Sequence, residues 1–165
     1  MDTVSVGGRT IAYRRAGEGP PLVLLHGAWS DSREWRAQLE GLSDGHPGTG
    51  SPRTSPASSP ARSRRRPSTE MVTIMGDVRP GGTRPMVKAF AEADLREVAR
   101  HFSVPTLLLY GELDVRAPVA VAEDLHSRVP HSELVVMPGV GHVCNIEAPV
   151  SFNAEVRRFL RSVTG

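Results

Sequence analysis

The apolar pattern of the first 25 residues predicts three strands. Val4 and Val6 alternate with polar residues, Gly7-Gly8 supplies a two-residue turn, and Thr10–Tyr13 follows, which together predict a β-hairpin. After a polar loop, the run Leu22–Leu25 is continuously apolar. Such runs are typical of strands that a parallel sheet buries on both faces, so we predict a buried strand here.

Residues 31–42 carry the signals of an amphipathic helix. Asp31 and Glu34 have the spacing of a capping box. Trp35, Leu39 and Leu42 follow at helical spacing and form one apolar stripe. We therefore predict a helix over these residues.

The pattern changes over residues 43–69. From Ser43 to Glu70 the chain contains no Val, Ile, Leu, Met, Phe, Trp, Tyr or Cys, and its prolines remove backbone hydrogen-bond donors. Because no such apolar surface offsets the entropy of ordering, we predict a disordered linker rich in Pro, Ser and Arg. It separates an N-terminal segment, residues 1–42, from a C-terminal segment, residues 70–165.

The linker is also the basic part of the chain. The formal net charge is only +2, but residues 44–69 hold five arginines against one acid. The arginine run at residues 62–66 has no aromatic side chains on which nucleic-acid bases could stack. A nucleic-acid partner is therefore not predicted.

The C-terminal segment alternates helical and strand patterns. The predicted elements are a helix that starts near Met71 and stops at Pro80-Gly81-Gly82, a helix over Pro85–Arg100, a strand over Val104–Tyr110, a helix over Ala117–Val129, a strand over Glu133–Met137 and a helix from Pro149. The last helix has an apolar stripe suited to covering a sheet. Strands that alternate with helices predict an α/β fold with a mainly parallel sheet.

Length and composition fit one folded domain. A chain of 165 residues can bury roughly 70% of its unfolded surface. It lacks both the long apolar run of a membrane span and the basic-then-apolar start of a secretory signal. The single cysteine, Cys144, excludes an internal disulfide and fits a reducing compartment. These features predict a soluble cytoplasmic protein without a membrane partner.

Three motifs stand at the ends of predicted strands. His26-Gly27 follows the first apolar strand, Asp114 ends the sequence GELD after the second, and His142 ends the sequence PGVGH after the third. In this order they resemble the α/β-hydrolase superfamily, and within it small bacterial enzymes of the esterase and C–C-bond-hydrolase type. The resemblance covers residues 1–42 and about 70–165. It implies a truncated α/β-hydrolase fold, with flanking helices and an N-terminal hairpin, that lacks central strands.

The resemblance implies a role for each motif. Asp114 would orient the imidazole of His142, which would carry a proton from the nucleophile to the leaving group. The backbone N–H of Ala28 would donate to the oxyanion, and His26 and Gly27 would hold the oxyanion loop. These residues are the predicted site.

The serine that would complete this triad is not identified. The superfamily order Ser…Asp…His places it between Gly27 and Asp114, in a G-x-S-x-G turn between a strand and a helix. Ser43, in GLSDG, matches the letters but follows a predicted helix, so we interpret it as a helix exit. Ser51, which precedes a proline, has no strand in front of it either. The turn that carries the nucleophile is thus predicted to be absent.

Two functions stay open at this point. One is a hydrolase-family protein, derived from an enzyme that cleaves a small ester, a lactone or a C–C bond, and impaired by the loss of its serine. The other is a non-catalytic protein that binds a ligand or a partner on the remnant of that fold. Trp29 either lines the ligand pocket or packs in the core. No metal or cofactor is predicted, and open strand edges predict homo-oligomerisation.

Overall fold

A computed structural model describes residues 1–43, 69–78 and 80–164 of the chain. The strands are β1 (Asp2–Val6), β2 (Arg9–Tyr13), β3 (Thr106–Gly111) and β4 (Ser132–Met137). The helices are α1 (Arg36–Leu42), preceded by a 3-10 turn (Ser32–Trp35), α2 (Thr69–Gly76), α3 (Pro80–Glu92), α4 (Arg96–Ala99), α5 (Val119–Arg128), α6 (Cys144–Glu147) and α7 (Pro149–Thr164). The disorder predicted for residues 43–69 lies almost wholly outside the described residues, and the division into segments stays a prediction.

The predicted N-terminal hairpin is confirmed. Strands β1 and β2 pair antiparallel, with Val4 opposite Ile11. Gly7 and Gly8 have φ angles of 56° and 75°, the left-handed pair that a tight two-residue turn requires. Every residue of both strands is exposed, so neither face of the hairpin is covered by the described residues.

The strand predicted at Leu22–Leu25 is wrong. These residues form no regular element, and Val23 and Leu25 are 74% and 80% exposed. A strand is stable only when its backbone groups pair with a neighbour. In the described part of the chain no strand pairs with this run, and Leu22, Val23 and Leu25 are left exposed.

The two predicted strands of the C-terminal segment form a parallel pair. Thr106 lies opposite Ser132 and Gly111 lies opposite Met137, so β3 and β4 run in register from end to end. Helix α5 forms the crossover between them, and its Ala122 is fully buried. A parallel pair joined by a helix is the βαβ unit expected from the alternating pattern. The unit brings the ends of both strands to one edge of the sheet.

A small apolar core lies behind this edge. Met137, at the end of β4, packs with Val140 and Cys144. Ala148 and Phe152 cover this cluster from the side of α7. The helix predicted from Pro149 is confirmed, and its Phe152 packs on this cluster.

The helices between residues 69 and 100 differ from the prediction. Pro80 begins α3 instead of ending a helix, because the first turn of a helix needs no N–H from its first residue. The helix predicted over Pro85–Arg100 is broken between Glu92 and Arg96. At the break, the Asp94 carboxylate accepts over 3.1 Å from the backbone N–H of Arg96, the first residue of α4.

Polar side chains join the N-terminal helix to the C-terminal ones. Gln38, the residue of α1 that is fully buried, donates to the carbonyl of Asn145 over 3.0 Å. Asn145 donates in turn to the carbonyl of Glu34 over 3.1 Å. Asn153, on α7, donates to the carbonyl of Ala37 over 3.1 Å. Directional hydrogen bonds thus hold α1 and the 3-10 turn before it against the C-terminal segment.

No helix within residues 1–43, 69–78 and 80–164 is long and apolar enough to span a bilayer.

Candidate active site

The carboxyl ends of β3 and β4 position the candidate site. The chain leaves β3 at Gly111 and leaves β4 at Met137, which lie opposite each other. Two backbone bonds join the loops that follow: Glu112 N–H donates to the Met137 carbonyl over 2.9 Å, and Leu113 N–H donates to the Val140 carbonyl over 2.8 Å. The loop after β4, residues 138–143, is called the histidine loop below. It is fixed against the loop that carries Asp114.

Asp114 and His142 meet at this edge. The Nδ1–H of His142 donates to Oδ2 of Asp114 over 2.8 Å. The Asp114 side chain is 4% exposed, whereas the His142 side chain is 47% exposed. The bond leaves the other ring nitrogen of a neutral imidazole as an acceptor on an accessible side chain. The structure therefore brings together the carboxylate and the histidine that the sequence predicted.

The second oxygen of Asp114 is also satisfied. Oδ1 accepts from the N–H groups of Arg116 and Ala117 over 2.8 and 3.0 Å. Burial of the carboxyl raises its pKa, but the bonds from Ala117, His142 and Arg116 outweigh burial and hold the pKa of Asp114 below its usual value of 3.8. The carboxylate is therefore ionised at neutral pH and fixes the His142 ring.

Two carboxylates that the sequence analysis missed hold the histidine loop. Oε2 of Glu112 accepts from the N–H of Gly139 over 2.8 Å. The carboxylate of Glu147 accepts from the N–H groups of Gly141 and Val143. The sequence offers one signal for Glu147: helix α6 begins directly after Val143, and the N–H groups at the start of a helix need acceptors from outside its own ladder.

The residues predicted to form the oxyanion loop lie in an irregular segment. His26 is exposed, and its Nδ1–H donates to the carbonyl of Gly27 over 2.9 Å. Ala28 is half-buried. Within the described residues, no hydrogen bond or ion pair that the structure gives joins this loop to Asp114 or His142. The oxyanion role of the Ala28 N–H stays a prediction.

Trp29 packs against a helix. Its ring centroid lies 6.3 Å from that of Phe90 on α3, at an interplanar angle of 43°. Its φ of 56° is left-handed, which is uncommon for a bulky residue. The observed contact is a packing contact; a pocket-lining role stays a prediction.

Ser43 lies at the end of α1. It is the C-cap residue, and its hydroxyl donates back to the carbonyl of Glu40 over 3.2 Å. A helix, and not a strand, leads directly into Ser43, so the geometry differs from that of an exposed nucleophile on a strand-to-helix turn. Ser51 lies outside the described residues. In the part of the chain that the structure describes, no hydroxyl is hydrogen bonded to His142.

Cys144 is not placed to replace the serine. The thiol is buried, and Sγ donates to the carbonyl of Gly141 over 3.4 Å. Burial raises the pKa of this thiol, and the nearby carboxylates of Glu147 and Asp114 raise it further. The thiol is therefore protonated at neutral pH, and a protonated thiol is a poor nucleophile.

Two cavities lie away from the Asp114–His142 pair. One, of about 300 Å³, lies between β1 and α1 and is lined by Arg14, Arg33 and Arg36 among others. The second, of about 550 Å³, lies between α3 and α5. Neither is lined by Asp114 or His142. We place the candidate site at the Asp114–His142 pair because these two side chains can transfer a proton, which the volume of a cavity alone cannot do. Among the described residues, no cluster of three or more His, Cys, Asp or Glu could hold a metal ion.

Two curated proteins that resemble part of the chain carry the names of hydrolases. The chain is 38% identical over 76 residues to a putative carbamate hydrolase RutD of Cronobacter turicensis. The match covers 46% of this chain and 28% of that protein. It is 37% identical over 73 residues to a pimeloyl-[acyl-carrier protein] methyl ester esterase of Vibrio vulnificus, which covers 44% of this chain and 29% of that protein. The chain thus spans less than a third of the length of these curated relatives.

A solved structure and a family profile agree with these relatives. A thermophilic esterase from Thermogutta terrifontis superposes with a TM-score of 0.55 and 28% identity, over 58% of this chain and 36% of that one. The profile described as TAP-like protein, an α/β-hydrolase family, matches residues 82–164, which include α5, both strands of the parallel sheet, Asp114 and His142. With the βαβ unit and the Asp–His pair at its edge, these matches show that the chain belongs to the TAP-like family of α/β hydrolases.

Proposed function

We propose that the chain derives from an esterase-type hydrolase, that it keeps the acid–base half of the Ser–Asp–His mechanism, and that its hydrolytic activity is impaired. The observation that carries this proposal is the 2.8 Å bond between a buried Asp114 and an accessible His142. A buried, ionised carboxylate that fixes one imidazole nitrogen is the arrangement that a general base requires.

The two residues would divide the work as follows. His142 would take a proton at Nε2 from a nucleophile and give it to the alkoxide or amine that leaves. Asp114 would keep the imidazole in the tautomer with Nδ1 protonated and would stabilise the imidazolium that forms. The N–H of Ala28 is the proposed donor to the oxyanion. No step in this scheme needs a metal or an organic cofactor.

The nucleophile is the missing part. Only Gly41–Gly45 fits G-x-S-x-G in the whole sequence, and its Ser43 bonds its own helix. Without a serine, the remaining donors of a hydrolase supply only residual catalysis. We therefore propose a hydrolase-family pseudoenzyme, with a small ester as the ligand class. The names of the esterase and carbamate hydrolase relatives support this class.

A non-catalytic binding protein is the second candidate. It is favoured by the same bonding of the Ser43 hydroxyl to α1, which leaves the described site with an imidazole and no hydroxyl partner. In this case small esters or acids would stabilise the fold without being turned over. A cytoplasmic location, predicted from the lone cysteine, belongs with these proposals.

We expect hydrolysis of an unactivated ester such as methyl butyrate to be far slower than that by an active esterase, because only residual catalysis remains without the serine. The measurement is acid release in a pH-stat, with an active esterase as the positive control and the His142→Ala and Asp114→Asn variants in parallel. Turnover that both substitutions abolish would show a working triad and would refute the impairment. A rise in the melting temperature with methyl butyrate, without acid release, would favour the binding protein.

We also propose that the chain self-associates. Strands β3 and β4 each have one pairing partner within the described residues, and the apolar residues Leu22, Val23 and Leu25 are exposed. Open strand edges and uncovered apolar side chains favour pairing with a second copy. Sedimentation velocity should therefore show a sedimentation coefficient that rises with protein concentration. A Val23→Lys, Leu25→Lys variant should reduce this rise, whereas a clean monomer with a cooperative melt would contradict the proposal.

A further inference from the structure

Glu147 lies at the end of α6, and its carboxylate reaches back to the histidine loop. Oε2 accepts from the N–H of Gly141 over 3.0 Å, and Oε1 accepts from the N–H of Val143 over 3.1 Å. Gly141 and Val143 are the residues directly before and after His142. One half-buried carboxylate therefore fixes the backbone on both sides of the histidine.

Glu147 also bonds the start of its own helix. Val143 is the residue before α6, and its backbone N–H is among those that a helix N-terminus leaves without an intrahelical partner. Glu147, four residues further on, supplies the acceptor for this N–H. Hydrogen bonds to an ionised acceptor are stronger than those between neutral groups. The same carboxylate thus ties the histidine loop to the first turn of α6.

The close approach also depends on the residue at position 141. A Cβ on Gly141 would lie 2.9 Å from Oε1 of Glu147, so the flexible carboxylate would have to shift from its place. A glycine there lets the carboxylate reach both amides. The other carboxylate on the loop, that of the exposed Glu112, bonds Gly139, three residues before His142. Of the carboxylates of Glu112 and Glu147, that of Glu147 is therefore the one that bonds the residues on both sides of His142.

We infer that Glu147 is a positioning residue for His142. Its two bonds set the backbone so that the Nδ1–H of His142 points at Asp114 and the rest of the ring stays accessible. Glu147 has no described contact with the ring and acts through the loop. The inference rests on the proton-carrying role proposed for His142, but the geometry it describes is measurable without turnover.

The test is proton NMR of the full chain, observing the low-field Nδ1–H resonance of His142. Loss of this resonance in Asp114→Asn assigns it. Glu147→Gln keeps the shape of the side chain but removes its charge and one acceptor oxygen. We expect the Nδ1–H of His142 to exchange with water about tenfold faster in this variant, as for the loss of hydrogen bonds to a charged group. Glu123→Gln, an exposed position on α5, is the matched control and should change nothing.

Each other outcome overturns a stated part of the inference. Unchanged exchange of the Nδ1–H in a folded Glu147→Gln variant would show that the two bonds of Glu147 do not position His142. Unfolding of Glu147→Gln, with Glu123→Gln folded, would show that Glu147 supports the fold as a whole, and the positioning role would be wrong. The imidazole ¹⁵N shifts report the tautomer even where exchange hides the proton, and a His142 ring protonated at Nε2 and not at Nδ1 would contradict the Asp114–His142 bond; the proposed function would then fail with the inference. Ester turnover alone would refute the proposed impairment of activity, but it would not contradict the positioning of His142 by Glu147.

Discussion

Replacing Gly111 by alanine is expected to lower the free energy of unfolding by about 3 kcal/mol, the upper end of the range for overpacking a close contact. Gly111 ends β3 directly beneath the histidine loop. A Cβ at this position would collide with the carbonyl oxygens of Val140 and Gly141 and would lie 2.7 Å from the carbonyl carbon of Val140. These are backbone atoms, so the clash cannot be relieved by turning a flexible side chain. The loop itself has to move.

The displaced loop gives the substitution a second effect. The N–H of Leu113 bonds the carbonyl of Val140, and His142 stands two residues after Val140. A shift of the histidine loop therefore draws the imidazole away from Asp114. Urea unfolding measures the stability, and the low-field resonance of His142 reports the pair. Gly81→Ala is the matched control, because a Cβ there meets no atom within 4 Å and alanine favours a helix. A Gly111→Ala chain as stable as Gly81→Ala would contradict the packing described here.

Asp114→Asn is expected to lower the free energy of unfolding at pH 7 by about 2 kcal/mol, the scale for hydrogen bonds to a charged group. The amide oxygen of asparagine can still accept from the N–H groups of Arg116 and Ala117. Its amide nitrogen, which would face His142, cannot accept from the Nδ1–H of that ring. The substitution thus removes the charge and one bond while it keeps the volume. Urea unfolding is again the measurement.

The same substitution changes the pH dependence of stability. Since the pKa of Asp114 is below 3.8 in the folded chain, the unfolded chain binds more protons in acid, and stability rises with pH. The contribution is complete above about pH 4, near the unfolded pKa, and is lost as the pH falls through the folded pKa. Asp114→Asn should therefore flatten this acid limb. Asp124→Asn, which removes an exposed ion pair with Arg128, should change it less. An acid limb that is unaltered in Asp114→Asn would refute the assigned role of the carboxylate.

Much of the C-terminal segment could be predicted from local patterns. An apolar run followed by a helix and a second apolar run forms a βαβ unit, and its two strands end at one edge of the sheet. The resemblance to α/β hydrolases implied that Asp114, three residues after Gly111, orients His142, five residues after Met137. The geometry of the unit agrees with that pairing, which the structure shows as a hydrogen bond.

Other features depend on partners that local patterns do not specify. The run Leu22–Leu25 has strand composition, but a strand also needs a neighbour, and the described residues supply none. The burial of Gln38 in α1 depends on a carbonyl of Asn145, more than a hundred residues away. The bonds of Glu147 to Gly141 and Val143 are local, but they depend on how the histidine loop folds back on α6, which periodicity does not indicate. For the first two features the decisive contact is tertiary.

The central claim is that this α/β hydrolase keeps its Asp–His pair and lacks a serine that the pair can activate. The direct measurement is incubation of the full chain with a fluorophosphonate probe, followed by mass spectrometry of the intact protein and its peptides, with an active esterase as the positive control. We predict no serine adduct in the native chain. An adduct on Ser43, Ser51 or any other serine, formed in the native chain and abolished by His142→Ala, would contradict the claim.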